Sequence, residues 1–134
     1  MSPADLVERV RIACQGASEA IAAIYLYGSV SRDEAAPDSD LDIGVVGRSG
    51  PLAPLSLPLE DLRNRLEAAS RRNVDVVALE TAPPDLVHRV LRDGVLLLDR
   101  DRGRRIAFEV RSRNEYFDLE PVRRLYRTPR RPSR

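Results

Sequence analysis

The chain has 134 residues, 43% hydrophobic and 32% charged, with a formal net charge of +1; this is the size and balance of one soluble globular domain whose core needs no disulfide. All 22 basic residues are Arg, which excludes chemistry that depends on Lys, such as a Walker-type phosphate lysine or a Schiff base. The near-neutral total hides a division: residues 1–99 carry 10 Arg against 16 acids, whereas residues 100–134 carry 12 Arg against five acids, a basic end on an acidic body.

Ser2-Pro3 followed by Leu6, Val7, Val10, Ala13 and Cys14 gives an N-cap, a first-turn proline and an apolar stripe, predicting a helix from Pro3 to about Gln15. Ile21 to Tyr27 is a β-rich run that stops at Gly28-Ser29, and a short helical turn is expected after Ser29. A polar loop follows through Pro37 and Asp38, then a second strand over Asp40 to Val46. Gly47 to Pro58, rich in Gly, Pro and Ser, reads as a loop. Pro58-Leu59-Glu60-Asp61 opens a helix with the stripe Leu59, Leu62, Leu66 and Ala69. Asn73 to Leu79 is a third strand, Pro84 to Arg92 a helix, Val95 to Leu98 a short fourth strand, and Gly103 to about Tyr126 mostly helical with a break at Pro121. The order predicts one α/β (α+β) domain over residues 1–127, a small mixed sheet flanked by helices. An Arg- and Pro-rich tail, residues 128–134, is expected to be disordered.

Cysteine and histidine narrow the chemistry. Cys14 and His88 are each the only residue of their kind, so neither an internal disulfide nor a zinc cluster can form, and a reducing compartment is implied. Cys14 lies on an apolar helix stripe and reads as a small hydrophobe; His88 reads as the edge of an amphipathic helix. No basic leader precedes an apolar core and no apolar run approaches about 20 residues, so a cytoplasmic protein is expected.

The informative segment is Tyr27-Gly28-Ser29-Val30-Ser31-Arg32 with Ser39-Asp40-Leu41-Asp42-Ile43. Strand alternation sends Asp40 and Asp42 to one side and Leu41 and Ile43 to the core. Two carboxylates roughly 4 Å apart repel by about 4 kcal/mol at an effective dielectric of about 20, which calls for a proton or a cation. Without His or Cys ligands, Mg²⁺ is the natural ion, held by carboxylates and by phosphates of a substrate. Asp75 is a lone charge in the apolar run Asn73 to Val77 and could join the pair if the third strand lies beside the second. Three acids around metal ions suit in-line phosphoryl or nucleotidyl transfer. Gly28 allows a ligand close to the backbone, Ser29 and nearby amides can hold a phosphate, and Arg32 can pair with one bidentately.

The combination of Gly28-Ser29, Arg32, the run Ser39-Asp40-Leu41-Asp42 and the later strand with Asp75 resembles the signature of the polymerase β-like nucleotidyltransferase superfamily. With Tyr116-Phe117-Asp118 and Tyr126 near the end, the chain resembles more narrowly the MNT-type minimal nucleotidyltransferases, antitoxins to HEPN-family toxins. The resemblance implies a polymerase β-like fold and a protein adenylyltransferase that uses ATP and Mg²⁺ to move AMP onto a tyrosine hydroxyl of the toxin. It implies that Asp40 and Asp42 bind metal and that Asp75 is a metal ligand or base. Gly28, Ser29, Arg32 and Ser39 would form the nucleotide site. Relatives commonly place Gly after the motif Arg, where this chain has Asp33. Two alternatives stand beside this reading, a non-catalytic antitoxin that neutralises by binding alone and a small-molecule nucleotidyltransferase. The Arg-rich end has no RNA or DNA motif and five interspersed acids, so direct nucleic-acid binding is not expected.

Overall fold

The computed structural model describes residues 2–28, 39–119 and 121. In chain order the elements are α1 (Pro3–Cys14), β1 (Ile21–Tyr27), β2 (Leu41–Gly47), α2 (Leu57–Ser70), β3 (Val74–Ala78), a 3-10 turn (Leu79–Thr81), α3 (Pro84–Asp93), β4 (Val95–Asp99) and α4 (Arg102–Asp118). The strands form one mixed sheet in the order β3-β2-β1-β4. β1 pairs antiparallel with both β2 and β4, and β2 pairs parallel with β3.

The capping chemistry anticipated for α1 is present: Ser2 Oγ accepts from the Asp5 amide at 3.1 Å, with a proline in the first turn. α4 begins on Asp101, whose Oδ1 accepts from the Arg104 amide at 3.0 Å. It ends at Asp118, three residues before Pro121, with the Leu119 amide donating to the Glu115 carbonyl at 3.2 Å as its cap. The 3-10 turn after β3 is a departure from the sequence reading, which ran that strand on through Leu79. The expected turn after Ser29 and the expected tail at residues 128–134 lie outside the described residues.

Helices cover both faces of the sheet. On one, Leu6, Val10 and Cys14 of α1 and Leu59, Leu62 and Leu66 of α2 pack on Ile24, Leu26, Leu41, Ile43 and Val45. On the other, Val87 and Val90 of α3 and Phe108 of α4 pack on Ala23, Tyr25 and Val46. Double coverage explains why β1 and β2 are nearly continuous apolar runs, a pattern common in sheets buried on both faces. Cys14 is fully buried, and burial pushes its thiol from 9.0 up to about 12. The thiolate is thus suppressed at neutral pH, as expected of a core residue.

Polar ties fasten the α3/α4 face. Tyr25 Oη donates to Glu109 Oε2 at 2.7 Å, and Arg105 bridges Glu109 and Asp99 at 3.1 and 3.0 Å. The Glu80 side chain, 1% exposed, pairs with Arg104 and accepts from the Gly47 amide at 2.9 Å, while Arg104 Nε donates to the Gly47 carbonyl at 2.9 Å. This knot joins the 3-10 turn, the end of β2 and α4.

Candidate functional site

Gly28 ends β1 with φ +81, a left-handed conformation that costs an L residue about 1–2 kcal/mol. Space is a second requirement. A Cβ at Gly28 would collide with Asp42 Oδ2 and approach the carboxyl carbon to 3.2 Å. The glycine therefore brings the main chain against the Asp42 carboxylate.

Asp42 is held in a row of side chains across three strands. Its antiparallel partner on β1 is Tyr27, and its parallel partner on β3 is Asp75. Residues opposite one another share a face, and here it is the α3/α4 face to which Tyr27 also packs. At the strand spacing of about 4.8 Å, two ionised carboxylates repel by about 3.5 kcal/mol at an effective dielectric of about 20. The Tyr27 phenol reports the arrangement: burial first, then the charges of Asp42 and Asp75, push it from 10.0 up to about 12, with Arg89 opposing them.

The register that aligns the two acids has a local cause. The Leu41 amide donates to the Asn73 carbonyl at 2.9 Å, and Arg72 Nη1 donates to the Ser39 carbonyl at 2.9 Å. Both bonds pin the start of β2 to the segment leading into β3. Glu67 Oε2 accepts from the Val74 amide at 3.2 Å and ties the same segment to α2. A slip of one residue would send Asp42 to the opposite face.

The remaining expected site residues fall as follows. Asp40 lies just before β2 and is exposed; Leu41 and Ile43 are fully buried. Ser39 is half-buried, with its carbonyl engaged by Arg72. Ser29 and Arg32 lie outside the described residues. Among the described residues no three Asp, Glu, His or Cys side chains stand close enough to hold a metal ion by themselves; the acids that the sheet brings together are Asp42 and Asp75. One or two carboxylates supplemented by substrate phosphates are the usual protein contribution to a Mg²⁺ site. The all-oxygen donor set suits that hard ion, since Cys14 lies in the core of the opposite face and His88 stacks on Tyr116 with ring centroids 3.7 Å apart.

A cavity of about 230 Å³ opens beside the row, lined by Tyr27, Gly28, Asp42, Arg89 and Asp93. Its α3 wall, Arg89 and Asp93, was missed in the sequence because neither residue belongs to a local motif. A helical spacing of four placing both on one face is the only signal that could have found them.

Comparison with solved structures gives the same architecture. A chain of a toxin-antitoxin complex crystallised with AMP-PNP superposes with TM-score 0.73 at 24% identity, covering 92% of this chain and 96% of its own. A chain of a Shewanella oneidensis complex, a tri-AMPylated HEPN toxin with its MNT antitoxin, gives TM-score 0.69 at 22% identity, with coverages of 95% and 97%. A protein described as a minimal nucleotidyltransferase is 30% identical, with TM-score 0.54, covering 71% of this chain and 95% of that one. No curated protein matches the sequence significantly. The family model for Polymerase beta, Nucleotidyltransferase matches residues 12–103. That span exceeds half the chain and contains Gly28, Asp42, Asp75 and Arg89, and the chain belongs to the Polymerase beta nucleotidyltransferase family.

Proposed function

We propose that the chain is the antitoxin of a HEPN/MNT-type pair and that it transfers AMP from ATP to a tyrosine hydroxyl of its partner toxin, inactivating the toxin. The observation that carries the reading is the in-register pair Asp42 and Asp75 beside the left-handed Gly28. Further support comes from the resemblance in fold to chains of toxin-antitoxin complexes, one with AMP-PNP and one with a tri-AMPylated toxin.

Each residue has a role in this reading. Gly28 and Ser29 hold the nucleotide phosphates, with Arg32 and Ser39 completing the nucleotide site. Asp40 and Asp42 would hold Mg²⁺ together with phosphate oxygens, and Asp75 is a further ligand or takes the proton of the incoming tyrosine. The ion, when bound, neutralises phosphate charge and polarises the α-phosphorus. The tyrosine oxygen bonds to that phosphorus, the bond to the β-phosphate oxygen breaks, and pyrophosphate leaves. Asp75, exposed on its strand, is open to an acceptor arriving from solvent, whereas half-buried Asp42 sits under the cavity. No described helix is long and apolar enough to cross a membrane, and we assign the protein to the cytoplasm with its partner.

The test is neutralisation in cells co-expressing a HEPN-type toxin with the wild-type chain or with Asp42→Asn. Transfer predicts that the variant still associates with the toxin but no longer protects. Equal protection by the variant would favour neutralisation by binding alone and overturn the enzymatic reading.

A further inference from the structure

α3 contributes one cation to the site cavity. Arg89 and Asp93 of α3 line the cavity together with Tyr27, Gly28 and Asp42, and Arg89 is near enough to the Tyr27 hydroxyl to oppose the two aspartates there. Asp93, one turn along, is gripped from outside by Arg92, whose Nε and Nη2 donate to its two oxygens at 3.0 and 2.8 Å. Most other described arginines are committed elsewhere. Arg63 and Arg65 pair with acids of α2, Arg72 and Arg100 cap carbonyls, and Arg104 and Arg105 sit in the polar ties under α4. Among the described residues Arg89 forms neither an ion pair nor a hydrogen bond and is exposed. Its long side chain stands on a helix held to the core by its neighbours Val87 and Val90.

We propose that Arg89 is the phosphate-gripping arm of this site, pairing its guanidinium with phosphate oxygens of a bound nucleoside triphosphate across the cavity from Asp42. The inference rests on the nucleotidyltransferase reading and adds a residue to it. A lysine-free chain must give this task to arginine, and the planar fork can take two phosphate oxygens at once. The cavity favours the assignment because its carboxylates repel a bare triphosphate. A cation on the opposite wall offsets that repulsion and orients the phosphate chain along the cavity toward Gly28. Because Arg89 is exposed and outside both core clusters, replacing it should leave the fold intact.

The experiment is equilibrium binding of ATP, with magnesium chloride present, to the full chain and to Arg89→Ala, Arg89→Lys and Arg102→Ala, with Tm recorded for each. Arg102 is exposed at the start of α4, outside the cavity lining, and controls for net charge. Arg89→Ala should weaken ATP binding about tenfold, the loss of one charged hydrogen-bonded contact. Arg89→Lys should recover part of it, Arg102→Ala should bind as wild type, and all Tm values should agree. Wild-type affinity in Arg89→Ala, or an equal loss in Arg102→Ala, would overturn the assignment while leaving the nucleotidyltransferase reading in place. A wild-type chain that binds no ATP would overturn both.

Discussion

Replacing Gly28 with alanine tests how tightly the main chain and Asp42 are fitted. Two costs are readable from the geometry. The backbone holds φ +81, worth about 1–2 kcal/mol against an L residue. The new Cβ would meet Asp42 Oδ2, with the carboxyl carbon at 3.2 Å, and crowding of this kind costs about 1–3 kcal/mol. The carboxylate gives way more readily than the strand, so most of the second cost falls on the position of Asp42. Gly28→Ala should therefore lose about 2–4 kcal/mol, several degrees in Tm, and remain folded at room temperature. Its rate of AMP transfer at saturating ATP should fall about a hundredfold, since a displacement of about 1 Å at a reacting centre costs that much. Gly50→Ala separates strain from site damage: its φ is +126, yet a Cβ there meets nothing within 4 Å. It should lose stability and keep the wild-type rate. A Gly28→Ala protein that transfers AMP at the wild-type rate would refute the reasoning.

Other outcomes follow from the packing and the titrating groups. Burial raises the Cys14 thiol from 9.0 to about 12, so the folded state holds this proton more tightly than the unfolded one; its contribution is complete below pH 9 and is lost as the pH climbs toward 12. At about 1.4 kcal/mol per tenfold the loss reaches roughly 4 kcal/mol, and urea titrations of Cys14→Ala should show a shallower decline between pH 9 and pH 11 than wild type. Glu80→Ala leaves Arg104 without its buried partner and should cost about 3–5 kcal/mol by urea denaturation. Joint replacement of Glu80 and Arg104 by Leu and Met should cost less than the single change. Leu66→Ala, at a fully buried position of α2, should cost about 2–5 kcal/mol without altering the affinity for ATP, because it packs on the face away from the cavity.

How much of this was legible in the sequence depends on whether the signal was local. β1 was readable to the residue because a β-rich run is cut off by Gly28, and α1 because Ser2 and Pro3 cap it. Asp42 and Asp75 were recognisable as charges out of place in apolar strands. Their alignment was conditional on β3 lying next to β2, a pairing set by long-range packing and by the Arg72 and Asn73 contacts at the start of β2. The 3-10 turn was hidden because Leu79, buried at 1% exposure, looks like a continuing strand residue, while its purpose is to carry Glu80 into the knot with Arg104 and Gly47. Arg89 was invisible for the same reason: a solvated face and a cavity wall read alike until β1 is placed opposite. Tyr116 and Phe117 are adjacent aromatics that the sequence pattern does not tell apart, yet Tyr116 stacks on His88 whereas Phe117 is 62% exposed.

The most direct test is intact mass spectrometry of a HEPN-type partner toxin after incubation with ATP, magnesium and this chain, with fragmentation to locate any added group. The account predicts AMP on a tyrosine of the toxin, and none when Asp42→Asn replaces the wild type, although that variant, relieved of one charge of the Asp42 and Asp75 pair, has a Tm no lower than wild type. An unmodified toxin in the presence of a folded wild-type chain, or equal modification by Asp42→Asn, would contradict it.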